Sequence, residues 1–222
     1  MSAAVRTLTA WLVAWACACS AGMAMAQRAD PASDAPEARI HPATMLRDAP
    51  ASYSEALAHW RDADDVNAWI GARFEYDMAR ALRLSETERE RSGRLPIHPP
   101  DAFFVAPKGV CVDLSRFAVE TLRRIDPESK PSYLMIEFAP ASVHGQVLRR
   151  HWVARFERDG QFYFFADSKR PGHIAGPYAD DSAHIRDYAA YRGREIVAFR
   201  DLESTERKTR AQSVKQTRDA RP

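Results

Sequence analysis

Lys108-Gly109-Val110-Cys111-Val112-Asp113-Leu114-Ser115-Arg116-Phe117-Ala118 sets a cysteine at the head of an amphipathic helix. Leu114, Phe117, Ala118, Thr121, Leu122 and Ile125 recur at helical spacing on one stripe, and Arg116, Glu120, Arg123 and Arg124 lie off it. Cys111 is one turn ahead of Leu114 and shares that face, so its sulfur points toward whatever the helix packs on. Pro107 and Gly109 interrupt the chain upstream, and Asp113 or Ser115 can accept the first-turn amide hydrogens. The helix is expected to begin near Cys111. Its exposed amides and positive dipole end favour a thiolate there. A buried structural cysteine is the plainer reading of such a residue. Outward in both directions, the chain supplies reasons to prefer a nucleophile.

Downstream, Asp126-Pro127 ends the helical run, Tyr133 to Phe138 reads as a strand, and Ala139 to Arg150 reads as a loop. Two aromatic runs then flank Asp159-Gly160. A three-residue loop, Arg158-Asp159-Gly160, pairs Glu157 with Gln161, Phe156 with Phe162, Ala154 with Phe164 and Trp152 with Ala166, which makes one face wholly apolar. The other face pairs Arg155 with Tyr163, Val153 with Phe165 and His151 with Asp167. A two-residue Asp159-Gly160 turn would instead set Arg155 opposite Phe164 and Trp152 opposite Asp167, mixing polar and core positions. Hydrophobic sorting selects the first register, which predicts a His151–Asp167 hydrogen bond across the strands. In chain order the sequence therefore offers Cys111 as nucleophile, His151 as general base and acid, and Asp167 as the carboxylate that orients the imidazole. The remainder is a Gly/Pro-rich loop to Tyr178, a short helix over Ile185 to Tyr191, and a last strand from Glu195 to Phe199.

Upstream, Tyr53 to Arg61 and Asp64 to about Leu84 read as helices, with Val66, Trp69, Ile70 and Phe74 on the apolar side. Trp60 and Trp69 read first as core filling. Ser85 to Pro100, charged and then proline-rich, reads as an extended loop, and Asp101 to Ala106 leads into the cysteine. Met1 to Ala26 has one early arginine, an apolar run and Ala24-Met25-Ala26, the layout of a cleaved secretory signal, with an uncleaved membrane anchor as the rival reading. Residues 27–52 read as a linker or flexible arm, 53–200 as the folded domain, and 201–222 as a disordered charged tail.

The chain has 222 residues, enough for one buried core, and its net charge of +2 is too mild to argue for nucleic acid. Of its 3 cysteines, Cys17 and Cys19 fall in the signal, so no internal disulfide is expected after cleavage. Neither of those two follows a leucine-led lipobox. A lone thiol carried into an oxidising compartment calls for a functional reason.

Gly109-Val110-Cys111-Val112-Asp113-Leu114-Ser115, His151-Trp152-Val153 and Phe165-Ala166-Asp167-Ser168, in this order, resemble the transglutaminase-like superfamily. Within it the chain looks most like small exported bacterial proteins with a transglutaminase-like cysteine-peptidase core. The resemblance spans roughly Asp64 to Phe199. It implies an α+β, papain-like fold in which the cysteine-bearing helix packs on an antiparallel sheet, with extra N-terminal helices. It also implies that Cys111, His151 and Asp167 form a triad. Papain-like enzymes place a glutamine shortly before the cysteine as oxyanion donor, yet none lies between Gln27 and Gln146. The Cys111 amide then needs another donor, for which Trp69 and Tyr76 are candidates, with Trp152 as a further cleft residue.

Such a site would act on an amide bond of a protein or peptide, by hydrolysis or by acyl transfer, since both pass through one thioester. No cofactor, metal, nucleic acid or, after signal cleavage, membrane is expected, and the oligomeric state is open. His144, His151, His173 and His184 lack metal-ligand spacing, and no GxSxG elbow marks a serine hydrolase. The alternative of another class is an inactive module that keeps the fold as a binding platform.

Overall fold

The computed structural model describes residues 50–93 and 95–205. The expected signal peptide, most of the expected arm and the tail from residue 206 onward lie outside them. Helices α1 (Tyr53–His59), α2 (Ala63–Arg73), α3 (Met78–Arg83), α4 (Glu86–Ser92) and α5 (Pro100–Val105) precede the cysteine helix α6 (Cys111–Ile125). Two short strands among them, β1 (Glu75–Tyr76) and β2 (Lys108–Gly109), pair in parallel. After α6 come β3 (Ser132–Val143), β4 (Gln146–Arg158), β5 (Gln161–Phe165), β6 (Ala175–Tyr178), α7 (Asp181–Arg192) and β7 (Ile196–Leu202). The last five strands form one sheet in the order β6-β5-β4-β3-β7, with every adjacent pair antiparallel. The mixed helix-and-sheet class read from the sequence is the class observed. No described helix is long and apolar enough to cross a membrane.

Both faces of this sheet are covered. On one, α6 and the N-terminal helices enclose an aromatic core: Trp69 stacks on Phe104 at 4.9 Å and lies 4.8 Å from Phe117, against Tyr133, Ala154, Phe156 and Phe165 of the sheet. The α6 stripe is buried as its spacing requires, with Leu114, Phe117, Ala118 and Leu122 fully enclosed. Burial of each large side chain contributes about 2 kcal/mol. On the other face, α7 brings Ile185 and Tyr188 against Leu134, Ile136, Phe138, Val153 and Phe164.

This second layer corrects the hairpin register. Arg158 pairs with Gln161, Phe156 with Tyr163 and Ala154 with Phe165, around a two-residue turn in which Asp159 (φ 53°) and Gly160 (φ 71°) are both left-handed. That turn matches the right-handed twist of the flanking strands. Sorting by one apolar face fails because Phe164 and Val153 are buried under α7 just as Ala154 and Phe165 are buried under α6. Arg155, opposite Phe164, is accommodated by ion pairs with Asp181 and Glu157 and by its guanidinium lying 4.1 Å from the Phe162 ring.

Other boundaries shift for local reasons. The single long helix expected over Asp64 to Leu84 is broken: Glu75 N and Asp77 N donate to Pro107 O and Gly109 O, and the Asp77 side chain caps α3. The expected extended loop after Ser85 contains α4, because the Ser85 hydroxyl accepts from Glu88 N and Gly93 turns the chain out at φ 78°. The segment Ala139 to Arg150, read as a loop, is the far end of a long β3–β4 hairpin turned at His144-Gly145. The last strand continues past Phe199 to Leu202, opposite Tyr133, so the first two residues assigned to the tail are part of the sheet.

Candidate active site

Cys111 is the first residue of α6 and is buried. Asp113, two residues on, is fully enclosed and organises the helix start. Its Oδ2 accepts from Val110 N at 3.1 Å, and Arg80 clamps it with two 2.7 Å bonds, Nε to Oδ2 and Nη2 to Oδ1. His98 N donates to Oδ1 at 3.0 Å. Of the two acceptors the sequence offered, Asp113 performs the capping, and the Ser115 hydroxyl donates back to Val112 O. The paired Arg80 charge offsets the carboxylate that would otherwise oppose a thiolate two residues away. A Cβ on Gly109 would come within 3.0 Å of Asp113 and 3.1 Å of Phe103, which is why the residue two before the cysteine has no side chain. Arg80 was not legible in the sequence, because its partner is 33 residues away and its helix gives no charge pattern that points there.

Cys111 opens on a cavity of about 1120 Å³, lined also by Ile97, Val112, Met135, Glu137 and Trp152. Arg80 Nη2 and Arg116 Nη1 hold the loop wall at Pro96 O and Ile97 O. Trp152 lines the same cavity and packs against the cluster of Ala81, Val110 and Val112. Tyr76 pairs through its backbone with Gly109 and packs against the same pair of valines, with Lys169 Nζ 5.3 Å from its ring centre. Trp69 lies in the aromatic core, 2% exposed between Phe104 and Phe117, and is not among the cavity-lining residues.

His151 and Asp167 are brought together, though not by the expected ladder. Continued two residues, the observed register would set Asp167 opposite Trp152. Instead Ala166 takes φ 56°, which turns the chain out of the ladder and delivers Asp167 to His151, Nε2 to Oδ1 at 2.9 Å. Both are buried, and the imidazole shares the α7 face with Val153 and stacks on Tyr188 at 5.6 Å and 16°. Asp167 Oδ1 also accepts from Lys169 N at 2.9 Å and from the Tyr188 hydroxyl at 3.2 Å, and Arg170 Nε lies 3.4 Å from Oδ2. Burial opposes ionisation of Asp167, but the hydrogen bond and charge of His151, then Arg170 and the Lys169 amide, hold the carboxyl well below the usual range. With Nε2–H donated to Asp167, Nδ1 is the nitrogen that carries the lone pair.

The loop after Asp167 has little freedom. Gly172, at φ 82°, lies against α2 so closely that a Cβ built on Gly71 would meet the Gly172 Cα at 3.0 Å. His173 of this loop is exposed, and among the described residues no group of three or more His, Cys, Asp or Glu could hold a metal ion. His184, on α7, is buried against the sheet, 3.8 Å from the Phe164 ring and stacked at 9°.

No family model and no curated protein matches the sequence. Among solved structures, the calcium-bound LapG of Legionella pneumophila aligns at 16% identity over 71% of this chain and 78% of its own, with a TM-score of 0.35.

Proposed function

We propose that the chain is a thiol enzyme acting on amide bonds of a polypeptide, with Cys111 as nucleophile, His151 as general base and acid, and Asp167 as orienting carboxylate. The observation that supports this reading is the buried 2.9 Å His151–Asp167 bond, which orients an imidazole on β4, the strand that the Cys111 helix also packs on. The Cys111 thiol gives its proton to His151 as the sulfur attacks the amide carbon. The C–N bond then breaks while the imidazolium returns the proton to the departing amine. Water or a second amine attacks the thioester, the S–C bond breaks, and the thiol is restored. Amides of the α6 start, where Cys111 and Val112 line the cavity, would face an oxyanion formed there. An export signal at residues 1–26 would place this chemistry on polypeptides outside the cytosol.

The test is the pH dependence of Cys111 alkylation by iodoacetamide. The wild-type thiol is expected to react rapidly well below pH 8, and His151→Ala to lose about 100-fold of that low-pH rate. A thiol that titrates like free cysteine with or without His151 would overturn the reading and leave the binding-platform alternative in its place.

A further inference from the structure

The contacts around the His151–Asp167 pair extend onto α7, whose role in the fold is otherwise to cover the second sheet face. Tyr188 is fully buried there and touches both members of the pair by different means. Its ring lies 5.6 Å from the imidazole at an interplanar angle of 16°, and its hydroxyl donates to Asp167 Oδ1 at 3.2 Å. Arg192, one turn further along α7, donates from Nη1 to the Tyr188 oxygen at 3.2 Å. A cation donating to a hydroxyl strengthens that hydroxyl as a donor in turn, so Arg192, Tyr188, Asp167 and His151 form one polarised chain.

We propose that Tyr188 is a positioning residue for the catalytic pair: its ring fixes the plane of the His151 imidazole, and its hydroxyl, polarised by Arg192, fixes the Asp167 oxygen that receives Nε2–H. The proposal rests on the reading of Cys111, His151 and Asp167 as the reacting groups. Two features make the assignment more than packing. Besides Lys169 N on Oδ1 and Arg170 at 3.4 Å on Oδ2, the tyrosine adds a buried donor to the same oxygen the imidazole uses, which holds the carboxylate further against rotation about its Cβ–Cγ bond. The phenol also stays protonated at every working pH, because burial and then the Asp167 charge raise it well above its ordinary value, so toward Asp167 it can only donate. The other charged and titratable groups around the pair are Lys169 and Arg170 from the loop after β5 and His184 and Arg192 from α7.

Tyr188→Phe keeps the ring and removes the hydroxyl, and Tyr188→Leu removes both. Two readouts in the full-length protein separate positioning from simple filling of space. The first is the iodoacetamide profile of Cys111 from pH 5 to 9.5. The second is the 15N spectrum of histidine-labelled protein, which reports which ring nitrogen of neutral His151 holds the proton. Wild type is expected to show the Nε2–H tautomer alone. Tyr188→Phe should give a mixture of tautomers and alkylation roughly fivefold slower at pH 6, the size expected for one lost hydrogen bond, converging with wild type above pH 9. Tyr188→Leu should lose more. Should Tyr188→Phe fail to fold, Arg192→Gln leaves the ring in place and is expected to shift both readouts in the same direction. If the phenylalanine variant melts at a lower temperature yet superimposes on wild type in both profile and spectrum, Tyr188 only fills space and the proposal is wrong, while the contrast between wild type and His151→Ala keeps the functional reading. If wild type and His151→Ala already coincide, the functional reading falls and this proposal falls with it.

Discussion

His184 shows how much a single buried side chain can write into the acid behaviour of the protein. Its ring is sandwiched between Phe164 and Tyr188, neither ring nitrogen has a hydrogen-bond partner, and burial pushes its pKa down to about 3. An unfolded histidine protonates near 6.5, so as pH falls from there toward 3 the unfolded chain takes up a proton that the folded one refuses. Stability is therefore lost on acidification, by up to about 1.4 kcal/mol for each pH unit. Asp167 acts in the same direction but lower: its folded carboxyl is held below the ordinary value of 3.8, so its contribution is intact above that value and fades beneath it. At pH 4.5 the two are separated. Urea midpoints at pH 7 and pH 4.5 should fall markedly for wild type and much less for His184→Phe, which keeps the stack and has nothing to protonate. Equal losses for both proteins would show that the ring titrates normally. None of this was legible beforehand, because the sequence shows His184 only as one of several scattered histidines, and its burial is created by a helix whose apolar positions are few.

At the scale of elements, the cysteine helix was the most legible part of the chain and the hairpin the least. The α6 stripe is read directly because one helix face meets one core, so spacing and burial coincide from Leu114 to Leu122. The hairpin offers no such contrast, since β4 and β5 are buried on both sides. Alternation then carries no information about register, and the two-residue turn decides it. The His151–Asp167 bond was inferred correctly from a pairing that does not occur. What produces it is Ala166, a non-glycine residue at φ 56° that no pattern announces. Ala166→Val should be disfavoured there by its branched side chain, and relief is available by flattening the chain back into the ladder, with Asp167 carried toward Trp152. The expected outcome is loss of rapid low-pH alkylation of Cys111 at a cost of about 2 kcal/mol in urea stability. A variant whose alkylation profile matches wild type would show that the turn at 166 does not set the carboxylate.

Across the whole molecule, the pieces of the candidate site come from opposite coverings of one sheet. The cysteine arrives from the α6 layer, which also holds the aromatic core. The stacking and hydrogen-bonding support of His151 and Asp167 comes from the α7 layer, and β4 is the strand both layers share. The sequence conveyed the order of the three motifs but not this division, because the α7 segment carries no motif and the residues of β3 and β4 that it covers are distant in sequence. The loop after β5 has to cross from one layer to the other, and it does so against α2, where Gly71 and Gly172 touch backbone to backbone. A methyl group at residue 71 should help the helix by about 1 kcal/mol on propensity alone. At this spot it would also act as a shim under the loop, lifting Gly172 and, five residues back, the aspartate. Gly71→Ala is accordingly expected to leave helix content unchanged or raised while slowing Cys111 alkylation at pH 6 severalfold, measured side by side by circular dichroism and iodoacetamide. An unaltered alkylation rate would mean that the loop absorbs the shim. The contact thus makes the geometry of a buried carboxylate answerable to the thickness of a helix on the far side of the molecule, where surface variation would ordinarily be harmless.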